Sequence, residues 1–321
     1  MRTEAKTGGT DPAISARGIS RRFGNFVAVD AIDIAVGRGE VFGLLGANGA
    51  GKTTTIRMLC GTLAPDGGSI EVGGVDMVRH ARRARGRIGY VAQRWALYGD
   101  LSVRENLELQ AGLYGIGGQH ARARCQWALD YLGLRTVAGD RGDALPLGYQ
   151  RRLALACALL HEPDVLFLDE PTSGMDPLAR QQLWDMLYGL AETGIGILVT
   201  THYMDEALFC DRLGLMHAGR VVAGGEPEAL LAEPLDTPIL ELRTPQCDAC
   251  REALARLEMV REIVPGAGRL RIRLRAGSDA QAAIATLRTT AAGCGAFPES
   301  VQEVPPTLED VFVARLEQAA I

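Results

Sequence analysis

The 321 residues contain no segment long and apolar enough to cross a bilayer. The longest unbroken apolar stretch, Leu153–Leu160, falls far short of the ~20 residues a membrane helix needs. The opening MRTEAKTGGTDP has no apolar core behind its charges, so it does not read as a secretion signal, and the chain is expected in the cytosol. Positive charge is not in excess. With 34 basic and 39 acidic side chains the formal charge is −5, which argues against nucleic acid as a partner, because phosphate backbones need a basic surface. The seven cysteines are scattered and odd in number, which does not make a disulfide framework. Cys247 and Cys250 form a lone CxxC without a second pair, neighbouring histidines or a thioredoxin-like setting, and read as chance spacing. The five histidines lie too far apart in sequence to suggest a metal cluster.

What remains is an ordinary globular composition, 47% apolar and 23% charged, in a chain long enough for about two domains. Residues 1–12 are rich in Thr, Gly and charge and are expected to be disordered. From Ala13 onward, β-like runs alternate with helical ones. Val27, Val29, Ile32 and Ile34 suit a half-buried strand, and Val41–Gly46 suits a fully buried strand feeding a glycine-rich turn. Ser102-Val-Arg-Glu105 is a capping box opening a helix. Val165–Leu168 and Gly196–Thr201 are further buried strands, and Asp176-Pro177 supplies an N-cap and first-turn proline for a helix reaching about Thr193. Strands separated by helices predict a mainly parallel sheet covered on both faces. Near Glu233-Pro234 the pattern changes to strand, helix, strand, strand, helix, strand, helix, with Ser278-x-x-Gln281 as a second capping box; that order fits a small ferredoxin-like domain over 234–321.

Gly46-Ala-Asn-Gly-Ala-Gly-Lys52-Thr53 matches GxxxxGK[ST] directly after a strand and before a helical run that starts at Thr54. Its glycines let backbone N–H groups turn inward as a nest for phosphate oxygens, and the helix N-terminus adds its dipole. Lys52 is placed to reach the β- and γ-phosphates and Thr53 to bind Mg²⁺. The strand Val165–Leu168 ends in Asp169-Glu170, one carboxylate for the metal's shell and one to polarise an attacking water.

The order Phe23, Gly46–Thr53, Gln93, Leu145–Tyr149, Asp169-Glu170, Ser173–Asp176 and His202 resembles the ATP-binding subunit of an ABC transporter, over about residues 13–231. The resemblance implies a P-loop NTPase fold for 13–233, α/β with a mainly parallel sheet plus antiparallel strands, followed by the small α+β domain. It implies ATP and Mg²⁺ as ligands. Gly46, Ala47, Asn48, Gly49, Ala50, Gly51, Lys52, Thr53 and Thr54 would cradle the phosphates, with Thr53, Gln93 and Asp169 at the metal. Glu170, His202 and Gln93 would be the catalytic set, His202 contacting the γ-phosphate. Phe23 would stack on adenine, unless it is a core residue, and Asp176 would link two active sites. The signature loop corresponds to Leu145, Pro146, Leu147, Gly148 and Tyr149, which in the family closes over ATP bound to a second subunit. Here a proline stands where the family has a serine. The loss of one charge-assisted hydrogen bond, roughly 1.5–3 kcal/mol, weakens that closure.

The run RWALYGDLSVRENL after Gln93, the segment PLGYQRRLALACALLHEP and the tail PPTLEDVFVARLE resemble the ABC-2-type export branch. The implied partners are a separate membrane permease and a second ATP-binding subunit, the same or different; a membrane-fusion protein, where present, would make a two-membrane pump. The implied location is the cytoplasmic face of the inner membrane. Trp95 and Tyr98 are candidates to face the permease or to pack in the core. Arg79, Arg82, Arg83, Arg85 and Arg87 read as a solvated helix face. A regulatory subunit with little hydrolysis is the alternative that Pro146 keeps open.

Overall fold

The computed structural model describes residues 11–93 and 97–319; Met1–Thr10 and Trp95 lie outside them. The chain divides into two compact units at Pro227/Glu228, slightly before the change of pattern at Glu233-Pro234. In chain order the first unit runs β1 (Ile14–Phe23), β2 (Phe26–Val36), β3 (Val41–Leu45), α1 (Lys52–Leu59), β4 (Gly67–Val72), β5 (Val75–Asp76), α2 (Ala81–Arg85) and β6 (Ile88–Val91). It continues with α3 (Val103–Leu113), α4 (Gly118–Tyr131), α5 (Leu147–Leu159), β7 (Val165–Asp169), α6 (Pro177–Glu192), β8 (Gly196–Thr201), β9 (Arg212–His217) and β10 (Arg220–Gly225); α7 (Pro227–Ala232) begins at the boundary.

Two sheets form. One has the order β10-β9-β3-β8-β7-β6, parallel except for β10 at its edge; the other, β2-β1-β4-β5, is antiparallel. Every residue of β3, β7 and β8 is buried, as expected for central parallel strands covered on both faces. In β2 the inward residues Val29 and Ile32 are three apart, which a strict alternation forbids. Ala31, at φ 49°, absorbs the extra residue as a bulge, so that Ile32, Ile34 and Val36 face inward again. The core of this unit joins the sheets through Ile14, Ile19, Ile34, Leu44, Ile56 and Leu198.

Ser102 closes its capping box, donating its backbone N–H to Glu105 Oε2 at 2.8 Å and accepting from the Glu105 N–H. Arg79, Arg82, Arg83 and Arg85 are exposed around α2, whereas Arg87 is half-buried and pairs with Asp164 at 3.0 Å. Strands β1, β4, β9 and β10 were not legible individually from the residue pattern; polar Arg, Ser and Gly interrupt their alternation.

The second unit runs β11 (Ile239–Arg243), α8 (Cys247–Ala255), β12 (Val260–Gly266), β13 (Arg269–Leu274), α9 (Ala280–Gly293), β14 (Ser300–Glu303) and α10 (Leu308–Ala319). Its sheet, β12-β13-β11-β14, is antiparallel throughout, as the split βαβ order requires. Leu240, Leu242, Leu270, Ile272 and Leu274 pack with Leu254 of α8 and Leu287 of α9. The intervening Arg271 and Arg273 pair with Asp310 and Glu317 of α10.

One cap is corrected. Ser278 does not cap α9; Asp279 does, its Oδ1 accepting from the N–H groups of Gln281 and Ala282. A carboxylate one residue nearer the helix reaches the first-turn donors directly. Asp279→Ala is therefore expected to cost about 1 kcal/mol of stability, whereas Ser278→Ala should be near neutral, as measured by urea denaturation of the full chain.

Candidate functional site

Strands β3, β7 and β8 lie side by side in parallel register, with Leu45 paired to Thr201 and Asp169 to Thr200, so their C-terminal ends open on one edge. The glycine loop leaves β3 there. Gly49 and Gly51 have φ 84° and 111°, a conformation open to glycine at little cost. Gly46 serves a different need. A Cβ on it would lie 2.2 Å from the Met216 carbonyl oxygen of β9, so only glycine fits.

Lys52 opens α1 and is only 5% exposed. Its Nζ donates to the carbonyls of Gly46 at 2.7 Å and Ala47 at 3.2 Å and lies 3.6 Å from Glu170 Oε1. Burial pulls the Lys52 amine below its ordinary range, opposed by the negative charges of Glu170 and Asp169. The carboxylates thus keep an ammonium affordable inside the fold. Thr53 Oγ1 donates to Asp169 Oδ1 at 3.3 Å, and Asp169 is 2% exposed. These hard oxygen donors at one point suit a small divalent cation.

Glu170 is buried and sits at φ 50°, a left-handed conformation that a non-glycine residue rarely adopts. Its backbone N–H donates both to the Thr200 carbonyl and to Thr200 Oγ1, each at 3.1 Å, which holds the turn. Its side chain is met from three elements: Gln93 Nε2 donates to Oε2 at 2.9 Å, His202 Nδ1 is 3.2 Å from the same oxygen, and Lys52 approaches Oε1. Backbone strain of this kind, of the order of 1–3 kcal/mol, is typical of functional positions.

Thr200 was not singled out by the sequence, yet its hydroxyl donates to Asp169 Oδ1 at 2.7 Å while accepting from the Glu170 N–H. The one signal for it was its place near the end of a buried strand running GILVTT, where a hydroxyl needs a polar partner.

The fold brings together the phosphate loop, Gln93, Asp169, Glu170 and His202. It places the other candidates elsewhere. Phe23 ends β1, 48% exposed, with the Arg21 guanidinium 5.1 Å from its ring centre, which disfavours the core alternative. Leu145 is buried, while Pro146 stands at the N-cap of α5 with no side-chain hydrogen bond to offer. A Cβ on Gly174 would meet Leu147 Cδ2 at 3.2 Å, and one on Gly148 would meet Ala179 Cβ at 3.4 Å, so the Leu145–Tyr149 segment lies beside the turn into α6. Tyr149 carries the Arg152 guanidinium 5.4 Å above its ring. Asp176 caps α6, its Oδ1 accepting from the Ala179 N–H at 2.9 Å. Tyr98 is 58% exposed, and its backbone is pinned by Asn106, which both donates to its carbonyl and accepts from its N–H. Among the described residues no helix is long and apolar enough to cross a membrane.

The family pattern described as ABC transporter matches residues 29–173. A pattern described as an AAA domain, putative AbiEii toxin, Type IV TA system, matches 143–204. The probable multidrug ABC transporter ATP-binding protein YbhF of Escherichia coli (strain K12) is 47% identical over 70% of this chain, which spans only 39% of that relative's length. The Nod factor export ATP-binding protein I of Ralstonia nicotianae is 38% identical over 98% of this chain and 97% of its own. Among solved structures, cbiO1 from Clostridium perfringens, described as part of the ABC transporter complex cbiONQ, superposes with a TM-score of 0.65 at 28% identity, over 77% of this chain and 96% of that one.

Thr200→Val should leave the Asp169 carboxylate short of a buried donor. A loss of about 1.5–3 kcal/mol is expected in urea denaturation, and Thr200→Ser, which keeps the hydroxyl, should recover most of it.

Proposed function

The chain belongs to the ABC transporter ATP-binding family, and on that basis we propose that it binds and hydrolyses ATP to power export through a separate membrane permease. The observation that carries the reading is the meeting of the buried Lys52, Asp169 and Glu170 with the more exposed Gln93 and His202 at the mouth of the glycine loop. Its working position is the cytoplasmic face of the membrane, peripheral to the permease. Tyr98, exposed just beyond Gln93, is an aromatic suited to that interface.

The chemistry follows from positions. The loop amides and the N-terminus of α1 receive the phosphates. Lys52, already desolvated, exchanges its carbonyl contacts for β- and γ-phosphate oxygens. Thr53, Asp169 and Gln93 hold Mg²⁺, which supplies charge neutralisation of the phosphate oxygens when bound. Glu170 accepts a proton from the attacking water, and its two neighbours, Gln93 and His202, orient it and the γ-phosphate. Phe23, exposed and flat, takes the adenine face. A second copy or a related subunit contributes its Pro146–Tyr149 segment, so two nucleotides lie between two chains, with Asp176 linking the sites. Gly148 and the N-terminus of α5 remain to meet phosphate where Pro146 cannot.

Lys52→Ala should abolish ATP binding, read by isothermal titration with MgATP. Glu170→Gln should retain binding but slow hydrolysis by roughly 10²–10⁴-fold, accumulating an ATP-bound dimer on size-exclusion chromatography. Normal turnover by Glu170→Gln would defeat the assignment.

The regulatory alternative is favoured by one observation, the absence of any cap on α5 from Pro146. Pro146→Ser separates the two readings when assayed with the permease. A measurable wild-type rate that changes only modestly supports the ATPase; a silent wild type awakened roughly tenfold or more by Pro146→Ser with Leu147→Gly supports the regulator.

A further inference from the structure

Glu206 is a carboxylate with no solvent exposure, in the turn that follows His202. Nothing in the phosphate chemistry above requires it. A buried acid needs compensation, and two groups supply it. Thr201 Oγ1 donates to its Oε2 at 2.7 Å, and the Arg180 guanidinium stands beside it as an ion pair without a hydrogen bond, Nε at 3.4 Å from Oε1, while Nη1 donates to Asp205 Oδ2 at 3.3 Å. Arg180 belongs to the first turns of α6, and its own N–H donates to the carbonyl of Asp176, the residue that caps that helix.

The same guanidinium lies 5.0 Å from the centre of the Tyr203 ring, within cation–π range. The Tyr203 ring in turn packs on the His202 imidazole, with centres 4.1 Å apart. His202 Nδ1 faces Glu170 at 3.2 Å. The Tyr203 N–H is tied to Thr201 Oγ1 at 3.0 Å, so the hydroxyl that supports Glu206 also fixes the backbone of this turn. A continuous series of contacts therefore runs from the Asp176 end of α6, through Arg180 and Tyr203, to the histidine at the reaction centre.

We propose that Arg180, held between Asp205 and the buried Glu206, is a positioning residue for His202, making the imidazole's placement depend on the first turn of α6 at Asp176. The inference rests on the reading of His202 as a group that meets the γ-phosphate. It adds that the residue capping α6 and the histidine are mechanically one unit within a single chain. Arg is needed rather than Lys because a planar cation can lie on the Tyr203 ring while its edge meets the carboxylate.

The test is a double-substitution cycle on the full chain with MgATP, combining Arg180→Ala with His202→Ala. If Arg180 acts through His202, Arg180→Ala alone should lower kcat by roughly ten- to a hundredfold with the KM for ATP within about twofold. Added to His202→Ala, it should lower kcat no further. Arg180→Lys should recover only part of the loss. Additive losses, an unchanged kcat, or a loss confined to KM overturns the proposal. Should Arg180→Ala fail to fold, Tyr203→Leu removes the same contact from the other side and carries the same expectations.

A second measurement does not depend on hydrolysis. In protein labelled with ¹³C-histidine, the His202 ring resonances, assigned from their absence in His202→Ala, should shift in Arg180→Lys and in Tyr203→Leu. Unmoved resonances overturn the positioning role. Shifted resonances in a wild-type protein that does not hydrolyse ATP support it while defeating the ATPase reading.

Discussion

The pairing of Asp169 with Thr200 across two parallel strands is the contact on which the site depends. Because β7 and β8 run in the same direction, their last residues emerge together, and the Thr200 hydroxyl can serve the carboxylate of Asp169 and the backbone of Glu170 at once. That double use holds Glu170 at a positive φ. The turn so formed carries the Glu170 side chain back over the glycine loop, where Lys52, Gln93 and His202 meet it.

Electrostatics then follows from burial. Lys52, Asp169 and Glu170 are each less than a tenth exposed, an arrangement tolerable only because the cation and the two anions compensate one another. Such a cluster suits a polyanionic ligand bound with a divalent cation: the ammonium is already stripped of water and needs little reorganisation to accept phosphate oxygens. A further buried acid, Glu206, shows the same logic, with Arg180 as its cation.

The Leu145–Tyr149 segment does not share this cluster. It lies against the turn into α6, and its proline leaves the head of α5 without a side-chain cap. Its contacts within the chain are with that turn, as the close approaches of Leu147 to Gly174 and of Gly148 to Ala179 show.

How much of this was legible beforehand depends on the range of the forces involved. The glycine loop, Asp169-Glu170, the Ser102 capping box and the buried strands β3, β7 and β8 are local patterns, and the residues that define them are close in sequence. The split βαβ order of 234–321 was readable for the same reason, although the cap of α9 moved from Ser278 to Asp279, because two adjacent polar residues compete for one set of first-turn donors. The bulge at Ala31, the close approach of Met216 that demands glycine at position 46, the support of Asp169 by Thr200 and the pairing of Glu206 with Arg180 were not readable. Each joins residues from separate elements, with no periodicity to announce it. Sequence alone determined which chemical groups are present and which short segments carry them; tertiary structure decided which groups share a low-dielectric space, because only packing of distant strands removes water from between them.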